Sequence, residues 1–522
     1  MSSLQQHPVI VPIVLPLAVG ALMLLFDERR VLLKAVISLA GMLALVASAI
    51  ALLVLADATQ VYRLGNWPAP FGIVLVADRL SALMVLLAST VGLCALTFSL
   101  ARWHRAGPRF HSLFHVLMMG VNGAFLTGDL FNLFVFFEVL LAASYGLALH
   151  GSGTARVTAS LHYIAVNLTA SLLFLIGASL LYAVMGTLNM ADLAARVPAI
   201  AAGDRALVEA GAAILGIAFL VKAGMWPLCF WLPRTYAAAS APVSAVFAIL
   251  TKVGVYSVLR MWLLLFGDGA GASAGFGGDW LMVGGMATLA FGTIGVLASH
   301  EMPRVASFSL LVSSGTLLAA IGAGQIAVTG AALYYLVAST LGVSAFFLLI
   351  ELVERGQKPG AAVLAVSAEY FGDPDDEVEP EEEVGFAIPA TLALLGVSFG
   401  CCALLIAGMP PFPGFIAKFA LLAAVLEPDP IPVSAWVLLA LLIASGFAAI
   451  ISLGRAGIHT FWAAETRSVP RVRVIEMAPI VLLLGLCAAL TVQAGPVMRY
   501  LDATAQALHT PRGYIEDVLG PR

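Results

Sequence analysis

The chain reads as an all-α polytopic membrane protein, and three observations lead there. Of its 522 residues, 61% are hydrophobic and 11% charged, where a soluble globule carries about 25% charged residues. Its mean hydropathy is +1.01. Apolar runs of about 20 residues recur from end to end, the length a helix needs to cross a bilayer. The runs are continuous and not alternating, so the backbone must be satisfied within helices and not in a barrel.

In chain order the runs predict about fourteen spans, at 8–26, 31–55, 79–101, 110–127, 129–149, 157–183, 207–231, 242–265, 280–299, 303–323, 327–350, 386–426, 433–454 and 474–493. The twelfth is long and interrupted. The first begins at Pro8 with no basic stretch ahead of it and no small-residue cleavage site, so it is expected to be a retained span and not a signal peptide. Trp67, Trp103, Trp262, Trp280 and Trp462 fall near span ends, as interfacial tryptophans do. The segment from Val497 to Leu508 has apolar residues at helical spacing and is expected along the outer interface.

Positive charge orients the spans. One set of loops holds Arg29, Arg30, Lys34, Arg102, Arg105, Arg109, Arg156, Arg234, Arg304, Arg355, Lys358, Arg455, Arg467, Arg471 and Arg473. The opposite set, with both tails, holds Arg63, Arg79, Arg196, Arg205, Arg499, Arg512 and Arg522. Fifteen against seven puts the first set in the cytoplasm and both termini outside. An even number of spans requires termini on one side. The net charge of −4 comes from one stretch, Glu369 to Glu383, which holds nine acids in a cytoplasmic loop. It reads as a solvated linker, with a cation-gathering antenna as the sharper alternative. The five cysteines all lie in apolar runs and form no C-x-x-C pair, so neither a zinc site nor a disulfide framework is expected.

Against this apolar background four charges stand out. Lys222 and Lys252 flank a proline-rich break at Pro227, Pro233 and Pro242. A lysine at mid-bilayer costs at least about 2.5–3.5 kcal/mol. A snorkelling side chain avoids that cost near a helix end, but Lys252 lies about 15 Å into its helix at 1.5 Å per residue. Glu138 sits about 13 Å past Asp129 by the same count and is expected to be neutral or to need a cation, for which Lys222 is the candidate. The bland alternative is a static ion pair. Lys418 follows a second break at Pro410, Pro411, Pro413 and Gly414. The broken spans are the seventh and the twelfth, five apart, and such an offset points to inverted repeats around a transport site. Burial disfavours a lysine's charged form, and water at a break lets it exchange protons. A row of Glu138, Lys222, Lys252 and Lys418 is therefore expected to pass protons.

Five stretches together, TGDLFNLFVFFEVLLAASYGL, MGTLNMADLA, VKAGMWPLCFWLP, TKVGVYSVLR and GMPPFPGFIAKF, resemble the antiporter-like subunits of Mrp-type antiporters and of respiratory complex I. The resemblance covers nearly the whole chain and is closest to the D-type branch of the Mrp (Pha) subunits. It implies fourteen helices with two inverted five-helix repeats, at 110–265 and 280–454, after N-terminal helices at 1–109 and before a C-terminal helix and tail at 455–522. The acidic loop at 355–385 falls in the second repeat. It also implies that Glu138, Lys222, Lys252 and Lys418 form the proton path. The family often has a lysine where this chain has His162, which reads equally as a relay or as a satisfied core histidine. In the eleventh span a family histidine and lysine are matched only by Ser339 and Val343. Near His300, Arg304 is kept, which the resemblance makes a second possible relay, and Pro303 replaces a lysine.

The implied function is the proton limb of Na⁺ or K⁺ exchange for H⁺, in a complex with other Mrp-type subunits, in a bacterial inner membrane and in contact with its lipid. A pump subunit of complex I or of a membrane-bound hydrogenase is the alternative. A redox enzyme needs axial histidines or cysteine ligands. His111 and His115 are the one close pair, and they read as interfacial. No Walker loop or H-E-x-x-H occurs. No cofactor, metal or nucleic-acid partner is expected, and the protein reads as a transporter, not an enzyme.

Overall fold

The computed structural model describes residues 7–355, 389–461 and 472–520. The acidic stretch, with Lys358, Trp462, Arg467, Arg471 and Arg522, lies outside the described residues. Among these, the fold is nineteen α-helices and one two-stranded hairpin. Helices α1 (Val11–Leu24) and α2 (Val31–Leu55) lead into strands β1 (Gln60–Arg63) and β2 (Val74–Ala77), which pair antiparallel with Gln60 opposite Ala77. Then come α3 (Arg79–Ser99), α4 (Phe110–Leu126), α5 (Leu130–Ala148), α6 (Thr154–Met185), the short α7 (Met190–Arg196) and α8 (Ala202–Ala223). Short α9 (Leu232–Ala238) precedes α10 (Ala241–Phe266), α11 (Gly278–Ala298), α12 (Met302–Gly322) and α13 (Ile326–Arg355). The interrupted span is α14 (Pro389–Ala407) and α15 (Pro413–Val425), followed by α16 (Val433–Phe461) and α17 (Val474–Val492). Two amphipathic helices, α18 (Ala494–His509) and α19 (Arg512–Leu519), close the chain.

Twelve of these helices are long and apolar enough to cross a membrane. They match the expected spans except the first and fourth, which are the shorter apolar helices α1 and α4. The seventh expected span ends early. α8 stops at Ala223, and the stretch to Trp231 is irregular before α9 begins.

α10 and α13 form the axis of the bundle. Nearly every residue of α10 is buried, as a helix that is apolar all round must be. It packs against α3, α8, α12 and α13. α11 and α12 meet along a seam of glycines. A Cβ on Gly285, Gly315 or Gly322 would come within 2.3–2.4 Å of a backbone nitrogen on the facing helix, so the two backbones touch as small residues allow in membrane bundles. α17 returns to pack on α3 and α13.

The two ends of the bundle differ. The end with the tails carries the hairpin, α7, α18 and α19. There Leu501, Thr504, Ala505 and Leu508 of α18 turn inward, against α13 and α10. The same end holds a buried ion pair, in which Arg260 grips both oxygens of Asp78 at 2.5 and 2.7 Å. Asp78 also caps α3 by accepting from the Ser81 amide. Burial works against its carboxylate, but Arg260 and the Ser81 bonds outweigh it and hold its pKa below the usual range. The opposite end is rich in arginine. Arg102 and Arg355 share Glu351, and Arg355 also reaches Glu476 at 2.7 Å.

His111 and His115 are not interfacial, as their place next to a loop suggested. They are 5% and 0% exposed. His115 shares a hydrogen bond of 3.0 Å with Ser38 on α2, and His111 one of 3.2 Å with His104. The helix face they occupy is covered by α1 and α2, which local sequence cannot reveal.

Candidate functional site

The two interrupted spans are built alike. α8 ends at Gly224, with φ +73, and α14 ends at Gly408, with φ +75. Both close with the same pair of bonds. Met225 donates to Leu220 O at 3.0 Å and Gly224 to Val221 O at 3.2 Å. Met409 donates to Leu404 O at 2.9 Å and Gly408 to Leu405 O at 3.2 Å. This is the Schellman cap, which needs a left-handed residue at the helix end and so selects glycine. Both caps are followed by proline, at Pro227 and at Pro410 and Pro411, which cannot continue a helix or donate a backbone bond. Past the first break the Trp226 amide finds Thr288 of α11 at 2.8 Å.

Each break carries a buried lysine. Lys222 lies on the last turn of α8 and is 6% exposed. Its amine has no hydrogen-bond partner among the described residues and sits 4.9 Å from the centre of the Phe137 ring. Glu138, the next residue along α5, acts on it electrostatically, but the two form no direct ion pair. Glu138 is half-buried and accepts a short hydrogen bond from Ser171 of α6.

Lys252, at the middle of α10, is 0% exposed. Gly254, half a turn on, lets α10 press directly on α8. A Cβ there would meet the Ala223 nitrogen at 2.4 Å and the Lys222 carbonyl carbon at 2.7 Å. The two lysine-bearing segments are thus in backbone contact. The Lys252 amine donates to Ser313 of α12 at 2.7 Å, and Ser313 shares a 2.9 Å bond with Ser339 of α13. No carboxylate among the described residues pairs with it.

Lys418, on α15, folds back across the second break. Its amine donates to the Ala407 carbonyl at 2.9 Å, one of the carbonyls freed where α14 stops. Its stem lies over Gly408, where a Cβ would clash at 2.6 Å. Around the first break, four more buried polar atoms lack partners among the described residues: Tyr145 Oη, Trp231 Nε1, Tyr236 Oη and Ser240 Oγ. Buried polar groups left unpaired by protein are normally met by water.

The two secondary candidates lie elsewhere. His162 is exposed on the outer face of α6, with Nδ1 on the Thr158 carbonyl at 2.9 Å. The inward position is Tyr163, bonded to Ser144 at 2.7 Å and stacked on Trp231. His162 is thus neither a packed core residue nor beside Lys222. Arg304 is exposed and pairs with Glu301 at 3.0 Å. The partners Ser171, Ser313 and Phe137 carry no signal in the sequence, because a lone serine or phenylalanine in an apolar run is ordinary.

The family model described as "NADH:quinone oxidoreductase/Mrp antiporter, TM" matches residues 127–448, from just before α5 into α16. The D-type subunit of a probable K⁺/H⁺ antiporter from Rhizobium meliloti is 58% identical, covering 99% of this chain and 98% of the relative. The D-type subunit of a Na⁺/H⁺ antiporter from Alkalihalophilus pseudofirmus is 35% identical over 98% of this chain and 99% of its own length. A chain in the solved structure of the Mrp complex from Dietzia sp. DQ12-45-1b superposes with a TM-score of 0.83 at 26% identity, over 99% of this chain and 100% of that one. A chain of an archaeal membrane-bound sulfane sulfur reductase has the same fold, with a TM-score of 0.83 at 22% identity over 98% of this chain and 99% of its own.

Proposed function

Since the chain belongs to the NADH:quinone oxidoreductase/Mrp antiporter family, in its D-type Mrp branch, we propose that it carries the proton limb of monovalent cation/proton exchange. It is a transporter subunit that works with the other Mrp-type subunits, in contact with lipid, in a bacterial inner membrane. The arginine-rich end faces the cytoplasm and both tails face outward, as the loop charges favour. The exchanged cation is K⁺ or Na⁺, the ions named for the relatives. Antiport is favoured over a respiratory pump because the relative at 58% identity is named as an antiporter component and matches along its whole length.

One observation carries the mechanism. Lys222 and Lys252 lie on touching helices in the core, and neither has an ion-pair partner among the described residues. An uncompensated buried ammonium is costly, so such lysines alternate between charged and neutral forms as protons arrive and leave. Glu138 sits at one end of the row and draws a proton toward Lys222. Lys252 takes it across the α8–α10 contact, and Lys418, on carbonyls freed at the second break, is the far terminus. The matched caps at Gly224 and Gly408 support two repeats, at 110–265 and 280–454.

The test is cation-dependent collapse of a pH gradient in everted membrane vesicles that hold the full complex. Lys222→Ala and Lys252→Ala should each abolish it, with assembly confirmed on native gels. Wild-type exchange by either assembled variant would overturn the relay.

A further inference from the structure

Between Ile326 and Ile350, α13 offers no lysine, histidine or carboxylate, yet it stands between Lys252 on α10 and the break that holds Lys418. What it offers is Ser339. The Lys252 amine, Ser313 Oγ and Ser339 Oγ form an unbroken chain of contacts at 2.7 and 2.9 Å. Beyond Ser339 opens a cavity of about 30 Å³, bordered by Ser309, Ser313, Tyr335, Ser339, Ser445 and Gly414. That is room for a water with several polar partners, which is what a buried water needs. The cavity ends against the second break. Gly414 lies in the first turn of the helix that carries Lys418, and Gly446, next to Ser445, lies where a Cβ would be 3.8 Å from Lys418 Nζ.

We propose that Ser313 and Ser339, with water in this cavity, carry the proton from Lys252 to Lys418 in place of a titratable residue in α13. The proposal rests on the relay reading above. A hydroxyl has one donor and two acceptor sites, so it can take a proton on one side while releasing its own on the other. Lys252 gives a proton to Ser313 Oγ as Ser313 passes its own to Ser339. Ser339 passes its proton to the water, and the water passes one to the neutral amine of Lys418. One N–H bond breaks at Lys252 and one forms at Lys418. The hydroxyls are re-formed, and rotation about Cβ–Oγ resets them. Ser339 also reaches the Leu336 carbonyl at 3.3 Å, a resting orientation from which its hydrogen can swing toward the cavity.

The experiment measures cation-dependent proton flux per assembled complex for Ser313→Ala, Ser339→Ala, Lys418→Ala and Ser344→Ala. Ser344 is a buried control on the same helix, with its hydroxyl on the Ala245 carbonyl at 3.0 Å and no part in the path. Ser313→Ala and Ser339→Ala should each lower flux about a hundredfold or more, the low end of a lost proton-transfer step, and Ser344→Ala should leave it unchanged. Ser339 is half-buried, so its alanine variant carries the test if Ser313→Ala does not assemble. If Lys418→Ala stops flux while both path serines are dispensable, the hydroxyl path is overturned and the relay stands. If Lys418→Ala retains full flux, the relay does not end at Lys418, and the path falls with it. Equal loss in Ser344→Ala would mean that packing, not conduction, is being read, and would also overturn the path.

Discussion

Gly254 decides how close Lys222 and Lys252 come, because a single methyl there would run into the Ala223 backbone. Gly254→Ala should therefore lower exchange in assembled complexes, as α8 is pushed off α10. An unchanged rate would mean that the contact is not part of the path. His162 gives the opposite expectation. Its ring faces outward and meets a carbonyl of its own helix, so His162→Ala should exchange like wild type, whereas Tyr163 occupies the interior. The lysines were legible in the sequence because charge at mid-bilayer is expensive and so conspicuous. Ser171, Ser313 and Phe137 were not, since serine in a membrane helix is commonly satisfied by its own backbone. Which face of α6 turns inward is set by neighbours, so residue 162 and residue 163 could not be told apart in advance. Arg260 shows the same limit. The sequence did not single it out, and its partner Asp78 is 182 residues away. Breaking that pair as Asp78→Asn should cost about 3–5 kcal/mol, the cost of stranding one member of a buried pair. Thermal unfolding in detergent reads the loss.

At the scale of elements, hydropathy located the spans because lipid demands about 20 apolar residues from each. It located both breaks because proline forbids helix. It missed the hairpin at 60–63 and 74–77 and the helices at 190–196 and 232–238, which are too short to show a period. It also placed Lys222 within a span running to residue 231, where the helix in fact ends at Ala223 and the lysine stands on its last turn. The matched glycine caps matter here. Gly408 holds φ +75 beneath the stem of Lys418, so Gly408→Ala incurs both left-handed strain, about 1 kcal/mol or more, and a clash with the lysine. Exchange per complex should fall more steeply than abundance. A parallel fall in both would mean that the cap serves only folding.

Across the whole molecule, the arginine-rich end holds histidines that tie stability to pH. Burial, then Arg105 and His150, push the His104 pKa down to about 4. Burial also lowers that of His150, with Arg156 adding to it against the bond that His150 donates to the Trp103 carbonyl. Unfolded histidine titrates near about 6.5. Between about pH 6.5 and 4 the unfolded chain therefore binds more protons than the folded one, so stability falls as pH falls through that window. Melting temperatures across this range should show the decline, and His104→Gln should flatten it. The tail-bearing end, with its Asp78–Arg260 pair, loses support only at lower pH, because Asp78 stays ionised below the usual carboxylate range. Between these ends runs the buried row on which the functional reading depends, and Glu138 is its one carboxylate. The most direct test is cation-dependent proton flux in vesicles with Glu138→Gln at wild-type protein levels. The account predicts that exchange is abolished while the complex assembles, with Glu138→Asp keeping part of it because the charge survives on a shorter arm. Undiminished exchange by assembled Glu138→Gln would contradict it.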